Sequence, residues 1–297
     1  MTDSWLIAIA LFIIGTSLGS FINVLVLRYS GEGRIFSKKI TGRSHCMSCE
    51  RVLRWHELIP VASFLLQAGK CRTCNAQLSL QYPIVELASG LATCGIWWAV
   101  MRHIRFSVLL GEIPLGAVIA LAILFGLAAL TLIFLSAVDA RLTIIPDESN
   151  LLIAFLGLCI IGVKYYYGLF GAYSGSFLGH YASIFGFRDS LFLNHLLAAG
   201  IGAFFFGAIV LLSRGRAMGM GDAKLAAAGG LLLGWPDVAL SFFLAFILGS
   251  FFGILTMVLG KNRMKSLVPF GPFIALGMLL VIFFGKEIMS VYFWLFP

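Results

Sequence analysis

Two acidic residues set in apolar surroundings, and four cysteines in two pairs, carry most of the chemistry this sequence offers. Asp139 lies in AVDARLTIIPDESN and Asp222 in GMGDAKL, each beside a long apolar run. A carboxylate at mid-membrane costs about 2.5–3.5 kcal/mol, so its retention calls for a reason. Two carboxylates held within a few ångströms cannot both ionise comfortably. One then activates a water while its protonated partner polarises a peptide carbonyl and later protonates the leaving amine. Gly219 and Gly221 have no side chain, which leaves room for a substrate backbone beside Asp222. A helix cap explains Asp222 alone equally well. Asp147 follows Pro146 and precedes an apolar run, which reads as an N-cap. Asp139 instead ends an apolar run, where the helix dipole disfavours negative charge. Lys224 is expected to snorkel or to pair with a carboxylate.

The cysteines form Cys46-Met-Ser-Cys49 and Cys71-Arg-Thr-Cys74, with 21 residues between the pairs. Two such knuckles present four thiolates tetrahedrally to one Zn²⁺ at about 2.3 Å, and four protein ligands leave no open position for catalysis. The expected metal is therefore structural. A segment of about 50 residues has a small core, and a metal supplies the missing stability. A redox pair and unligated cysteines are the competing readings. His45 and His56 are rival ligands by residue type, though the surface reading is preferred for both, and Cys94 and Cys159 read as small apolar packing residues inside spans.

The elements that must position these groups follow from composition. The chain has 297 residues, of which 60% are hydrophobic and 11% charged, with a mean hydropathy of +1.00. A soluble domain carries about 25% charged residues. The expected fold is an all-α polytopic membrane protein. Apolar segments at 5–27, 83–101, 113–138, 150–170, 191–213, 223–236, 237–260 and 268–285 make about eight transmembrane helices. The first is too long for a signal-peptide core and lacks a basic stretch before it. Three parts are expected: a first span (1–27), a four-cysteine zinc-binding insertion (28–82) and a transmembrane domain (83–297).

Between spans one and two the chain is polar, with nine Lys/Arg against three Glu over 28–81. With that insertion inside, sixteen basic residues fall on its side and five (Arg102, Arg105, Lys164, Arg188, Lys286) on the other. The bias places the amino terminus outside and the insertion in the cytoplasm, where thiols stay reduced. By span counting Asp139 and Asp222 then share the cytoplasmic face. The net charge of +8 reports orientation, and no nucleic-acid partner is read from it. Three functions compete: an intramembrane aspartic peptidase, a transporter using buried acids such as Glu86, and a zinc-bearing scaffold. The acids cluster at span ends and no internal symmetry is visible, which tells against a transporter.

The motifs resemble those of the type IV prepilin peptidases, bifunctional leader peptidase/N-methyltransferases of the GxGD aspartic protease group. The resemblance rests on GSFINVLVLR (19–28), CMSC, RWHELIPVASFL, CRTC and QYPIVE (46–86), VDARLTIIPD (138–147), GMGDAKL (219–225) and VPFGPFIALG (268–277). It implies that Asp139 and Asp222 are the catalytic pair, with Asp147, Gly219, Gly221 and Lys224 as motif neighbours. It further implies cleavage of prepilins or pseudopilins after the glycine that ends a short basic leader. Methylation of the new N-terminal amine, with S-adenosylmethionine as donor, is implied too. The location would be the bacterial cytoplasmic (inner) membrane. Two departures stand out: the longer 165–190 loop, and Gln81 where the family usually has arginine. No glycine fingerprint places the S-adenosylmethionine site.

Overall fold

A computed structural model describes residues 2–31, 42–109, 113–169, 175–186, 190–259 and 268–295. The basic residues at 34, 38, 39, 188, 261, 263 and 265 lie outside them. The described chain is helical, with two isolated β-bridges and no sheet. In chain order the helices are α1 (Thr2–Arg28), α2 (Ala62–Leu66), α3 (Gln81–Leu109), α4 (Leu115–Leu142), α5 (Asp147–Tyr166), α6 (Tyr181–Ile184), α7 (Leu191–Leu212), α8 (Met220–Leu233), α9 (Asp237–Val258) and α10 (Gly271–Leu295). Among them α1, α3, α4, α5, α7, α9 and α10 are long and apolar enough to cross a membrane. A helix satisfies every backbone group within its own segment and without water, which suits continuous apolar runs of this length.

The chain forms two compact units, Met1–Gly95 and Ile96–Pro297. In the first, α1 and the start of α3 lie in close backbone contact. A Cβ at Gly19 would come within 2.8 Å of Glu86 Cα, so only glycine permits that approach. Asn23 Nδ2 donates to the Tyr82 carbonyl at 3.1 Å. The cysteine-bearing insertion lies between these two helices in the chain.

The second unit is built around α8, whose 14 residues span about 21 Å, short of a hydrocarbon core of about 30 Å. The segment nevertheless follows α5 from end to end. Lys224 meets Asp147 at the start of α5, and Gly157 at mid-helix lies against the Leu231 backbone. Past the end of α8, Asp237 lies within reach of the Lys164 charge. The missing length is the irregular stretch 234–236. Gly234 there has φ +79°, a conformation that favours glycine. Irregular backbone at membrane depth needs protein partners. Asn194 of α7 supplies two: its Oδ1 accepts the Trp235 N–H at 2.8 Å and its Nδ2 donates to the Trp235 carbonyl at 2.9 Å. His195 Nδ1 donates to the Leu231 carbonyl at 2.8 Å. The sequence reading passes over both residues; a polar Asn-His pair within an apolar run is the available signal.

The 165–190 loop is fastened at the far end of α5 from Asp147. Buried Lys164 donates to the Gly175 carbonyl at 2.8 Å, and buried Asp237 accepts from Ser176 Oγ and, at 2.8 Å, from the Phe177 N–H. Residues 170–174 and 187–189 of this loop lie outside the described residues.

Candidate active site

Asp139 occupies the last turn of α4, which closes at Thr143 with a left-handed φ of 55° and a Thr143 N–H to Asp139 carbonyl bond of 2.8 Å. That cap ends α4 and turns the chain through Ile144, Ile145 and Pro146 into α5. The Asp139 side chain is buried, and its Oδ2 accepts the backbone N–H of Gly271 at 3.0 Å. Thus α10, far away in sequence, holds the carboxylate of α4.

Asp222 sits three residues into α8. Its Oδ2 accepts the N–H of Gly219, the N-cap, at 3.2 Å. Its Oδ1 is buried and has no hydrogen-bond partner among the described residues. The cap and the chemical reading of Asp222 are therefore compatible: one oxygen caps, the other is unengaged. Ile145 lies against both Gly271, whose N–H holds Asp139, and Gly221, the residue before Asp222, so the two carboxylates occupy one neighbourhood.

Ile145 sits beside this pair. Its Cδ1 lies 3.1 Å from where a Cβ on Gly271 would stand, and its Cβ 3.1 Å from one on Gly221. The space at Gly221 is thus filled by Ile145, whereas the sequence reading gives it to a substrate backbone. At Gly219 the nearest atom to an added Cβ is Asp222 Oδ2, at 3.7 Å, an ordinary contact distance. A Cβ on Gly271 would lie 2.7 Å from Asp139 Oδ2, so the carboxylate sits where a side chain would otherwise be.

Asp147 is the first residue of α5, with Pro146 as N-cap; the sequence reading gives Asp147 itself that capping position. Both its oxygens accept from Lys224 Nζ at 2.8 Å. This exposed pair contributes no more than about 1 kcal/mol, but it joins the first turns of α5 and α8. Of the two roles expected for Lys224, pairing is the one observed.

The four cysteines form a second centre. Their Sγ atoms all lie within 4.8 Å of one another, and Cys46 Sγ to Cys74 Sγ is 3.8 Å. A tetrahedron of about 2.3 Å metal–sulfur bonds has edges of about 3.8 Å, so the donor set fits a metal such as zinc. The two knuckles repeat one backbone pattern. Cys46 N–H donates to Arg51 O and Glu50 N–H to Cys46 O, as Cys71 N–H does to Ala76 O and Asn75 N–H to Cys71 O. Glu50 and Asn75 each take a φ of 55° to close the turn. Backbone N–H groups of Cys74 and Thr73 bring the Cys71 thiol down to about 6. The Cys46 thiol is lowered in the same way by Ser48 and Cys49. Cys74 is pushed up to about 11: the Ala76 N–H acts the other way, but burial and the three neighbouring thiols outweigh it. Such a cluster resists full ionisation until a cation shares it. Behind it, the guanidinium of Arg51 reaches buried Glu57 at 2.6 Å. The Arg54 N–H, then Arg51, hold the Glu57 carboxyl below its ordinary range.

Two stretches of the chain match known families. Residues 13–100 match the bacterial peptidase A24 N-terminal domain, and residues 126–254 match the type IV leader peptidase family. A Bacillus subtilis protein named prepilin leader peptidase/N-methyltransferase is 32% identical over 284 residues, covering 95% of this chain and 96% of its own length. A Burkholderia pseudomallei protein of the same name is 32% identical over 243 residues, or 82% of this chain and 67% of its own. One from Pseudomonas aeruginosa is 27% identical, covering 94% and 91%. No solved structure matches the chain. With a buried aspartate pair in the region of the second match and a metal-ready cysteine cluster in that of the first, the chain is an enzyme of the type IV leader peptidase family.

Proposed function

We propose that this protein removes the short basic leader from type IV prepilins or pseudopilins at the cytoplasmic face of the bacterial inner membrane. Asp139 and Asp222 form the catalytic pair. The observation that carries this reading is the pair itself: two buried carboxylates on α4 and α8, each fixed through one oxygen by a backbone N–H, with Asp222 Oδ1 unengaged. Fixing one oxygen of each orients the other toward a reactant without ordering cost during the reaction. The pair works with one carboxylate ionised and one protonated. The ionised group takes a proton from water, and the resulting hydroxyl attacks the scissile carbonyl. The protonated group donates to that carbonyl oxygen, and the leaving amine takes up a proton as the C–N bond breaks. The two titrate as a unit, so the cleavage rate falls on both sides of an optimum. Gly219 and the exposed Lys224–Asp147 pair are motif neighbours that shape the approach to Asp222. Gly221 serves by admitting Ile145.

We propose further that the cysteines hold a structural Zn²⁺, and that the new N-terminal amine is methylated. S-adenosylmethionine would supply the methyl group to the amine nitrogen as its S–CH3 bond breaks, leaving as S-adenosylhomocysteine, with one amine proton passing to solvent. The domain division carried forward is a first span at 1–27, the zinc-binding insertion at 28–82 and a peptidase domain at 83–297. The test is to incubate the purified protein in lipid with a prepilin, with and without S-adenosylmethionine, and to weigh the product. Loss of the leader in both samples, with one added methyl only in the second, is expected. An intact prepilin contradicts the peptidase reading, and a cleaved, unmethylated product in both samples contradicts the methylation reading.

A further inference from the structure

Asn150 is buried near the start of α5, with 6% of its surface exposed. Neither Oδ1 nor Nδ2 of its amide has a hydrogen-bond partner among the described residues. The hydroxyl of neighbouring Ser149 is buried in the same state. A buried amide normally finds partners, because an unpaired one gives up its hydration without return. Asn194 shows how this chain uses a structural amide: both of its ends bond to Trp235. Asn150 makes no such bond within the described chain.

The fold puts this amide beside the catalytic pair. Asn150 precedes Gly157 by seven residues, close to two helical turns, so the two share one face of α5. Gly157 lies against the Leu231 backbone of α8. The two helices run parallel from the Lys224–Asp147 pair with equal rise per residue, which sets Asn150 opposite Lys224 and Leu225. That is about one turn from Asp222, whose Oδ1 is likewise buried and unengaged. Unengaged atoms of Ser149, Asn150 and Asp222 thus gather at one end of α5 and α8.

A peptidase at a membrane face has a use for them. A peptide must be extended to present its scissile carbonyl, and the N–H and C=O groups freed in this way need partners where water is scarce. An amide side chain offers both donors and an acceptor. It therefore complements the backbone of an extended chain, as a neighbouring strand does.

We propose that Asn150 binds the prepilin backbone beside the scissile bond, its Oδ1 accepting a substrate N–H and its Nδ2 donating to a substrate carbonyl; the proposal rests on the peptidase reading above. Asn150 is a binding residue in this scheme, and Asp139 and Asp222 remain the catalytic pair. Contact with backbone holds the cleavage point in register whatever side chains surround it.

The test uses the full-length protein in lipid and three synthetic prepilin peptides. One is all-amide; each of the others has one N–H, on one side or the other of the scissile bond, replaced by an ester oxygen. Asn150→Leu removes the amide at nearly constant shape. It is expected to lose at least about tenfold in kcat/KM on the all-amide peptide, the worth of a hydrogen bond or more. On one of the ester peptides the loss is expected to shrink to about threefold or less, the non-additivity that marks a direct contact. The melting midpoint is expected to hold or rise, since an unpaired polar group is replaced by an apolar one. Asn150→Ala is expected to show the same pattern and serves if the leucine variant does not fold. Wild-type cleavage by a folded variant overturns the proposal and leaves the peptidase reading standing. So does an equal loss on all three peptides, which would make Asn150 a structural residue. If the wild type cuts none of the peptides and no full-length prepilin, both readings fall together.

Discussion

Gly271 decides where the Asp139 carboxylate can sit. An added methyl would come within 2.7 Å of Asp139 Oδ2 and 3.1 Å of Ile145 Cδ1, and the first of these is the end of a rotatable side chain. Gly271→Ala is therefore expected to leave the fold intact while turning the carboxylate away from Asp222. A misplacement of that size costs on the order of 10²-fold in rate. Leader cleavage kinetics, with a melting curve as control, would show it; wild-type rates would mean the carboxylate tolerates the shift. At this scale Asp139, Asp222 and the four cysteines stand out in the sequence because ionisable or soft side chains are rare in its apolar background. Gly271, Ile145 and Asn194 do not, because their roles exist only through partners 132, 126 and 41 residues away in Asp139, Gly271 and Trp235.

Among the elements, α8 carries the site at its first turn, and its position depends on small residues. A Cβ at Gly230 would lie 2.4 Å from the Ala199 backbone nitrogen of α7, so even alanine forces the helices apart. Gly230→Ala is expected to destabilise by about 1–3 kcal/mol, the usual cost of overpacking, and to reduce cleavage with it, because Asp222 moves with α8. Gly200→Ala, on the same α7 but facing open space, is expected to be neutral or stabilising by up to about 1 kcal/mol. Thermal melts and cleavage rates of the two variants side by side test this; equal effects would remove the packing explanation. The positions of all eight long or mid-length helices are legible from the apolar runs. Their ends are less so: α10 extends to Leu295 where the apolar run suggests 285, because Lys286 and Glu287 interrupt the run and yet remain helical. Glu287 does so paired with Arg102 of α3, a partner no local pattern reveals.

For the whole molecule, the division into Met1–Gly95 and Ile96–Pro297 separates the two chemistries. The cysteine cluster belongs to the first unit; Asp139, Asp222, Ile145 and Gly271 belong to the second. Cys46→Ser is therefore expected to lose zinc, as read by elemental analysis, and to abolish methylation while leaving at least about a tenth of the leader cleavage. Cleavage lost together with the metal would show that the second unit depends on the first. The class of fold is legible because a bilayer leaves few alternatives to helices, whereas the division within α3 depends on contacts that no composition shift marks. The central claim is that two carboxylates, one on each of two helices, cut the substrate together. Its most direct measurement is the single-turnover cleavage rate of a prepilin by Asp139→Asn and by Asp222→Asn, in protein whose melting midpoint matches wild type. Each is expected to lose roughly 10²–10⁴-fold, the range for removing a general acid or base. Near-wild-type cleavage by either variant would contradict the pair.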